Sequence, residues 1–182
     1  MGAHSKMKDR IAKKLEGKFV NLREIIPDDA EFVLSLRCNE RKSRFLNKTE
    51  YNLEKQIAYI ENYLKKDSEW YFIIENKEHN PLGTVRIYNV KNDQYTGGSW
   101  LMTDNATANE VLEGSLLARK YAFEIIGFKK DCFDVRKENK KVIRFHKLCG
   151  AKIVGENDID YFFEYTKEDF ENNKEKLYGM LG

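Results

Sequence analysis

The stretch Val135–Ala151, VRKENKKVIRFHKLCGA, decides how this chain is read. A strand delivers Glu138-Asn139, and a short helix from about Lys140 to Leu148 then projects Ile143, His146 and Gly150 at spacings of three and four. Gly150 stops that helix, as a residue free to adopt left-handed backbone does. Asn139 stands at the helix entry, where its amide can cap free N–H groups. The same amide can instead bond an extended, amide-bearing ligand lying along the sheet, and the residues alone leave both readings open.

Working outward, period-two alternation over Phe19–Glu24 predicts a first strand, and Pro27 with Asp28 and Asp29 predicts a helix start running to about Arg37. A second helix is expected from about Leu53, with Ile57, Ile60 and Leu64 on one face. Strands follow at Trp70–Ile74, at Gly83–Val90 after the Asn80-Pro81 break, and at Gly98–Met102. Helical spacing returns over Ala108–Ile126, closed by Gly127. A strand at Cys132–Val135, two strands at Ala151–Val154 and Tyr161–Tyr165, and a helix opened by Thr166 with Asp169 three residues on complete the order. The expected architecture is a single α+β domain over 18–182, a mostly antiparallel twisted sheet of about seven strands covered by helices. Residues 1–17 read as a charged, flexible extension.

Composition narrows the function. The 182 residues carry 32 Lys and Arg against 30 Asp and Glu, a formal net charge of +2 that argues against a dedicated nucleic-acid binder. Six basic and two acidic side chains fall in residues 1–18, so the remainder is slightly acidic, with a net charge of −2. It holds one basic segment, Lys129–Lys152, in which nine cations face three carboxylates. Such a segment suits a phosphate-rich ligand and equally suits a solvated helix face. Apolar runs are far shorter than the ~20 residues of a membrane span. The lysine-rich start is not a secretory signal, and Lys6 departs from the myristoylation pattern. Cys38, Cys132 and Cys149 form neither a disulfide framework nor a zinc site, and no metal ligand is expected. A cytoplasmic location is the default.

The spacing Glu138-Asn139, then His146, then Gly150-Ala151 resembles the C-terminal half of the GCN5-related N-acetyltransferase (GNAT) superfamily, where a Tyr follows the Asn by seven residues and Gly-Phe follows four later. Upstream, Arg23–Arg37, Pro81–Tyr88 (PLGTVRIY), Gly98–Met102 (GSWLM) and Arg119–Phe128 (RKYAFEIIGF) resemble its other elements in order. LRCNERKSRFL, YNLEKQIAYIENYL and FHKLCG are similar to the enzymes that acetylate amino sugars on nucleotide carriers. Ribosomal-protein-type N-terminal acetyltransferases are the nearby competitor, and a catalytically weak coenzyme-A-binding module is the alternative from another class.

The resemblance implies acetyl-CoA as co-substrate, in a splay between the fourth and fifth strands, its pantetheine pairing with backbone of Trp100, Leu101 and Met102. Thr107, Ala108, Asn109, Glu110 and Val111 would lie where the superfamily places a glycine-rich pyrophosphate loop. Thr107 and Asn109 replace its glycines, and their side chains are expected to donate to phosphate. Asn139, Lys141, Arg144 and Lys147 complete the implied cofactor set. His146 takes the position of a Tyr that protonates the leaving thiolate, and is expected to act as general acid. Arg37, Asn39, Tyr88 and Tyr95 are expected to wall the acceptor pocket. The implied partner is a small-molecule amine, with no nucleic acid and no membrane; a homodimer is the assembly left open.

Overall fold

The computed structural model describes residues 14–182. A single eight-stranded sheet runs in the order β1-β2-β3-β4-β5-β6-β8-β7. Its strands are β1 (Leu15–Glu16), β2 (Val20–Glu24), β3 (Trp70–Asn76), β4 (Pro81–Lys91), β5 (Gln94–Met102), β6 (Lys130–Arg136), β7 (Lys152–Glu156) and β8 (Asp160–Thr166). Every neighbouring pair is antiparallel except β5 and β6. The strand beyond the expected seven is β1, which pairs Leu15 with Leu22 and Glu16 with Asn21. Two residues are too few for an alternation to register. Leu15 and Glu16 of the expected extension therefore belong to the sheet, with Lys14 and Gly17 flanking them, and residues 1–13 lie outside the described residues.

A 3₁₀ turn at Pro27–Asp29 leads into α1 (Ala30–Arg37), followed by the short α2 (Glu40–Ser43) and α3 (Leu53–Leu64). Asp29 does more than favour a helix dipole. Its buried carboxylate accepts from Arg23 Nη1 and Nη2 at 2.8 and 2.7 Å and from Ile26 N at 2.9 Å, tying β2 to the turn. On this face Ile25, Val33, Ile60, Tyr63, Tyr71 and Ile73 form a compact core.

The opposite face carries α4 (Ala108–Lys120), which widens into a π-helical segment over Tyr121–Ile126 and stops at Gly127, φ 95°. With α6 (Lys167–Gly179) it covers the larger core, in which Leu116, Tyr121, Phe123, Phe163, Phe170 and Leu177 are almost fully buried. Between β6 and β7 lies α5 (Lys140–Cys149), closed by Gly150 at φ 101°. Helices thus cover both faces, and α6 opens with the Thr166–Asp169 capping box read from the sequence. No helix among the described residues is long and apolar enough to cross a membrane.

One buried carboxylate clamps the chain's first turn to α4. Glu113, 3% exposed, accepts from the backbone N–H groups of Lys18, Phe19 and Val20 at 2.7, 2.6 and 2.8 Å. Replacing Glu113 with Ala would strand three donors, so a stability loss of about 2–4 kcal/mol is expected from urea unfolding. Glu113→Gln, which keeps one acceptor oxygen, is expected to lose less.

Candidate active site

The site follows from a failure of strand pairing. β5 and β6 are in register only at Gln94↔Lys130 and Tyr95↔Asp131, after which they diverge. The far edge of β5, from Gly97 to Met102, has no strand beside it. Halfway along, β5 bulges: Arg86 opposes Gly98 but Thr84 opposes Leu101, so β5 spends one residue more than β4. Ser99 absorbs the extra residue at φ 48°, a left-handed conformation uncommon for serine, and its carbonyl accepts from Thr84 Oγ1 at 2.7 Å. A cavity of about 500 Å³ fills the splay, lined on the β5 side by Trp100, Leu101 and Met102 and on the β6 side by Phe133 and Val135.

At the vertex, Asp131 Oδ1 accepts the Gly97 N–H at 2.8 Å, replacing the backbone partner that β6 no longer supplies. Asp131 is 0% exposed. Burial pushes its carboxyl upward, against the Arg119 charge and the Gly97 N–H, which favour the carboxylate. Arg119 Nη1, from the last turn of α4, lies 3.1 Å from Asp131 Oδ2. Position 97 has no room for a side chain, since a Cβ there would sit 2.9 Å from Asp131 Oδ2.

His146 also lines this cavity, 9% exposed, with its ring 4.5 Å from that of Phe133 and 5.9 Å from that of Trp100. Its Nδ1 has no hydrogen-bond partner. Burial first, and the Arg119 charge second, lower its pKa to about 3. Together they leave the ring uncharged at neutral pH, a state that does not favour the expected general acid. Cys149, one turn on, is buried with its thiol pushed up to about 11, which leaves no nucleophile there.

The other expected cofactor residues divide. Val111, Asn139 and Lys141 line the cavity, and Asn139 Oδ1 also accepts from Val142 N at 3.4 Å as the helix cap. Thr107, Ala108, Asn109 and Glu110 do not line it, and the expected phosphate donors are corrected. Thr107 Oγ1 accepts from Glu110 N at 3.3 Å while Glu110 Oε2 accepts from Thr107 N at 2.7 Å. This capping box places a carboxylate where an anion would dock. Asn109 Oδ1 accepts instead from Gly182 N. Arg144 and Lys147 are exposed and lie off the cavity, because Ile143, His146 and Cys149 define the buried face of α5. In the basic segment, Lys129, Lys130, Arg136, Lys137 and Lys152 pair with Asp93, Glu164, Asp160, Glu156 and Asp169, which disperses much of its charge. Cations do reach the cavity from α2, where Arg41 and Lys42 hold Asp104 and Lys42 Nζ donates to the Met102 carbonyl at 2.9 Å.

On the α1 and α3 face a second cavity, about 280 Å³, shares Arg86 and Ser99 with the first. Arg37 lines it and donates to Thr49 Oγ1 at 2.8 Å. Tyr59, Tyr71 and Lys55 add to the wall. Arg86 is held by Glu69 and lies over the Tyr88 ring at 4.8 Å. Tyr88 lies outside both linings and packs where a Gly98 Cβ would be, 2.8 Å away. One expected wall residue is corrected. Asn39 caps α2, its Oδ1 accepting from Arg41 N and Lys42 N. Tyr95 lines the larger cavity rather than the second, 2% exposed, with its ring between Phe123 and Phe128.

A family model described as an acetyltransferase (GNAT) domain matches residues 20–152. The chain belongs to the GNAT acetyltransferases. Among solved structures, apo FdhC, a nucleotide-linked sugar GNAT, is 31% identical with a TM-score of 0.84, covering 93% of this chain and 99% of its own. A GCN5-related N-acetyltransferase from Brucella melitensis is 16% identical with a TM-score of 0.77, covering 93% and 86%. Spermidine N-acetyltransferase from Vibrio cholerae, in complex with CoA and spermine, is 16% identical with a TM-score of 0.77, covering 84% and 98%. Those two show the fold alone. Among curated proteins the sequence finds no match.

Acetyl-CoA is the co-substrate of this family, and the residues fit its arm better than its phosphates. The unpaired β5 edge suits an amide-bearing arm, whereas the start of α4 is already capped by Glu110. Sequence reasoning missed Arg41, Lys42, Arg86, Arg119 and Asp131. Only the Thr107-x-x-Glu110 box was visible as a local pattern.

The environment of His146 makes a titration prediction. With a folded pKa near 3 and an unfolded value near 6.5, its share of stability is complete above pH ~6.5 and is lost as pH falls, at up to about 1.4 kcal/mol per unit. In ¹⁵N spectra the ring should stay neutral from pH 8 to 5, and His146→Phe should remove its part of the acid slope.

Proposed function

We propose that this GNAT acetyltransferase moves the acetyl group from acetyl-CoA directly to the primary amine of an amino sugar carried on a nucleotide. The observation that carries this reading is the second cavity. Two arginines, Arg37 and Arg86, and Lys55 face Glu50 there, between Tyr59 and Tyr71. Arginine forks suit phosphate oxygens and aromatic rings suit a sugar or a base, while a polyamine would meet repulsion. The 31% identity to a nucleotide-linked sugar GNAT supports the same class.

The residues divide the work by face. Backbone of Trp100, Leu101 and Met102 would hold the arm of the co-substrate along β5, with Asn139 and Lys141 across the splay. Arg37 and Arg86 would hold the acceptor's phosphates, bringing its amine to the Ser99 bulge where the two cavities meet. In the transfer the amine nitrogen bonds the acetyl carbon, the carbon–sulfur bond breaks with its electron pair on sulfur, and the nitrogen's surplus proton passes to water. A sugar amine is less basic than a lysine, so more of it is unprotonated at neutral pH. His146 contributes a neutral ring packed against Trp100 and Phe133. It adds to the apolar wall of the reacting end and offers one nitrogen as an acceptor.

Thiol release with a panel of amines tests this reading. A nucleotide-linked amino sugar is expected to exceed spermidine and an N-terminal peptide in kcat/KM by at least about a hundredfold, and a preference for either competitor would reject it. Arg86→Met is expected to raise the acceptor KM about tenfold or more, with a smaller rise in that of acetyl-CoA, whose cavity Arg86 also lines.

The self-capped start of α4 favours one second reading, a module that binds the co-substrate weakly. Glu110→Gln removes a charge at the phosphate entry while preserving an acceptor for Thr107 N. Calorimetry is expected to show binding of acetyl-CoA about two- to fivefold tighter. No binding by the native chain at millimolar ligand would reject both readings.

A further inference from the structure

Three polar atoms at the vertex of the splay are buried without a hydrogen-bond partner: Arg119 Nη1, Asp131 Oδ2 and His146 Nδ1. All three residues line the larger cavity. Arg119 and Asp131 form an ion pair at 3.1 Å that lacks hydrogen-bond alignment. The guanidinium lies 4.5 Å from the Tyr165 ring centre and 5.4 Å from that of Phe133, which fixes its plane without using its donors. Among the described residues Arg119 donates no hydrogen bond. An arginine's fork of donors, 12% exposed and unspent, is costly for a merely structural group, and a buried ion pair is weak evidence of stabilisation.

Its place along α4 is equally specific. Val111, Ser115, Ala118 and Arg119 all line the cavity, so one stripe of the helix floors it. From Thr107 to Arg119 the axis rises about 18 Å. An extended ligand whose phosphates lie near the helix start, and whose arm follows this stripe, carries its far end to the guanidinium.

We propose that Arg119 is a catalytic residue of the transfer, donating hydrogen bonds to the coenzyme A sulfur as it leaves with the electron pair of the broken carbon–sulfur bond. This rests on the acetyl-CoA reading of the cavity. Arg119 keeps its proton throughout, since its charge is held by Asp131. The groups facing it are Asp131 on β6, Tyr95 on β5, Tyr165 on β8, and His146 and Cys149 on α5. Of these only His146 could supply a second cation, and Arg119 itself opposes that. The vertex has one positive charge, and it belongs to the arginine.

The test titrates the thiol of bound coenzyme A by its thiolate absorbance, a readout separate from turnover. In the native protein the bound thiol should ionise at lower pH than the free thiol, with at least a tenfold larger thiolate-to-thiol ratio at equal pH. Arg119→Gln should abolish that difference, lower kcat about a hundred- to thousandfold, and leave coenzyme affinity within about threefold. Because Arg119→Gln alone strands Asp131, Arg119→Gln with Asp131→Asn serves as the folded neutral pair, and Arg119→Lys should restore part of the shift. Native protein that binds coenzyme A with an unshifted thiol, or a folded double variant that keeps the shift, overturns this proposal alone. Failure of the native protein to bind coenzyme A overturns the acetyl-CoA reading with it.

Discussion

The structure depends on how β5 and β6 are allowed to part. A parallel ladder that stops in the interior leaves backbone N–H groups without partners, and each such group buried dry costs about 1–3 kcal/mol. Asp131 resolves this by giving one side-chain oxygen to Gly97 N at 2.8 Å, so the splay begins with its first donor satisfied. A carboxylate at 0% exposure then needs a cation, which Arg119 supplies from α4. Burial chiefly, and the Arg119 charge second, keep His146 uncharged. A gap in a sheet therefore fixes a buried cation beside a ring on the helix that follows β6.

The same strand organises the other face. Ser99's left-handed backbone and the Thr84 hydroxyl that holds its carbonyl make the bulge a fixed joint. Because Ser99 lines both cavities, whatever occupies them meets at that joint. Arg86 is positioned from below by Glu69 and from the side by Tyr88, so the charge presented to the acceptor side is anchored rather than solvated. Anchoring matters because a bidentate contact gains from a guanidinium whose plane is already set.

Elements that advertise themselves locally were legible. The start of α3 at Leu53, the stops at Gly127 and Gly150, and the Thr166 capping box all follow from patterns a few residues long. The resemblance carried by Val135–Ala151 extended that to topology and to the splay. What was illegible is tertiary. β1 has only two residues, the Ser99 bulge is a mismatch between strands, and the Arg119–Asp131 pair joins a helix to a strand. His146 illustrates the limit: its position was readable, but its protonation state depends on burial among Trp100, Phe133 and Phe163 and, second, on Arg119 far back in the chain. The Thr107–Glu110 box is a different kind of miss, since the same motif was recognised at Thr166.

That box also bears on how phosphate could be held at all. A glycine-rich turn leaves its N–H groups open and lets the helix dipole attract an anion. Here Thr107 N is bonded to Glu110 Oε2, and Glu110 N to Thr107 Oγ1, so two of the helix's first donors are spent and a negative charge occupies the mouth. Across the loop, Arg41 and Lys42 are tied to Asp104. Each of these contacts is at least partly exposed and individually worth little. A phosphate held here would have to displace them, with Glu110 turned outward. The helix start thus supplies its own stand-in anion, and any phosphate docking there would be weakened by the cost of displacing it.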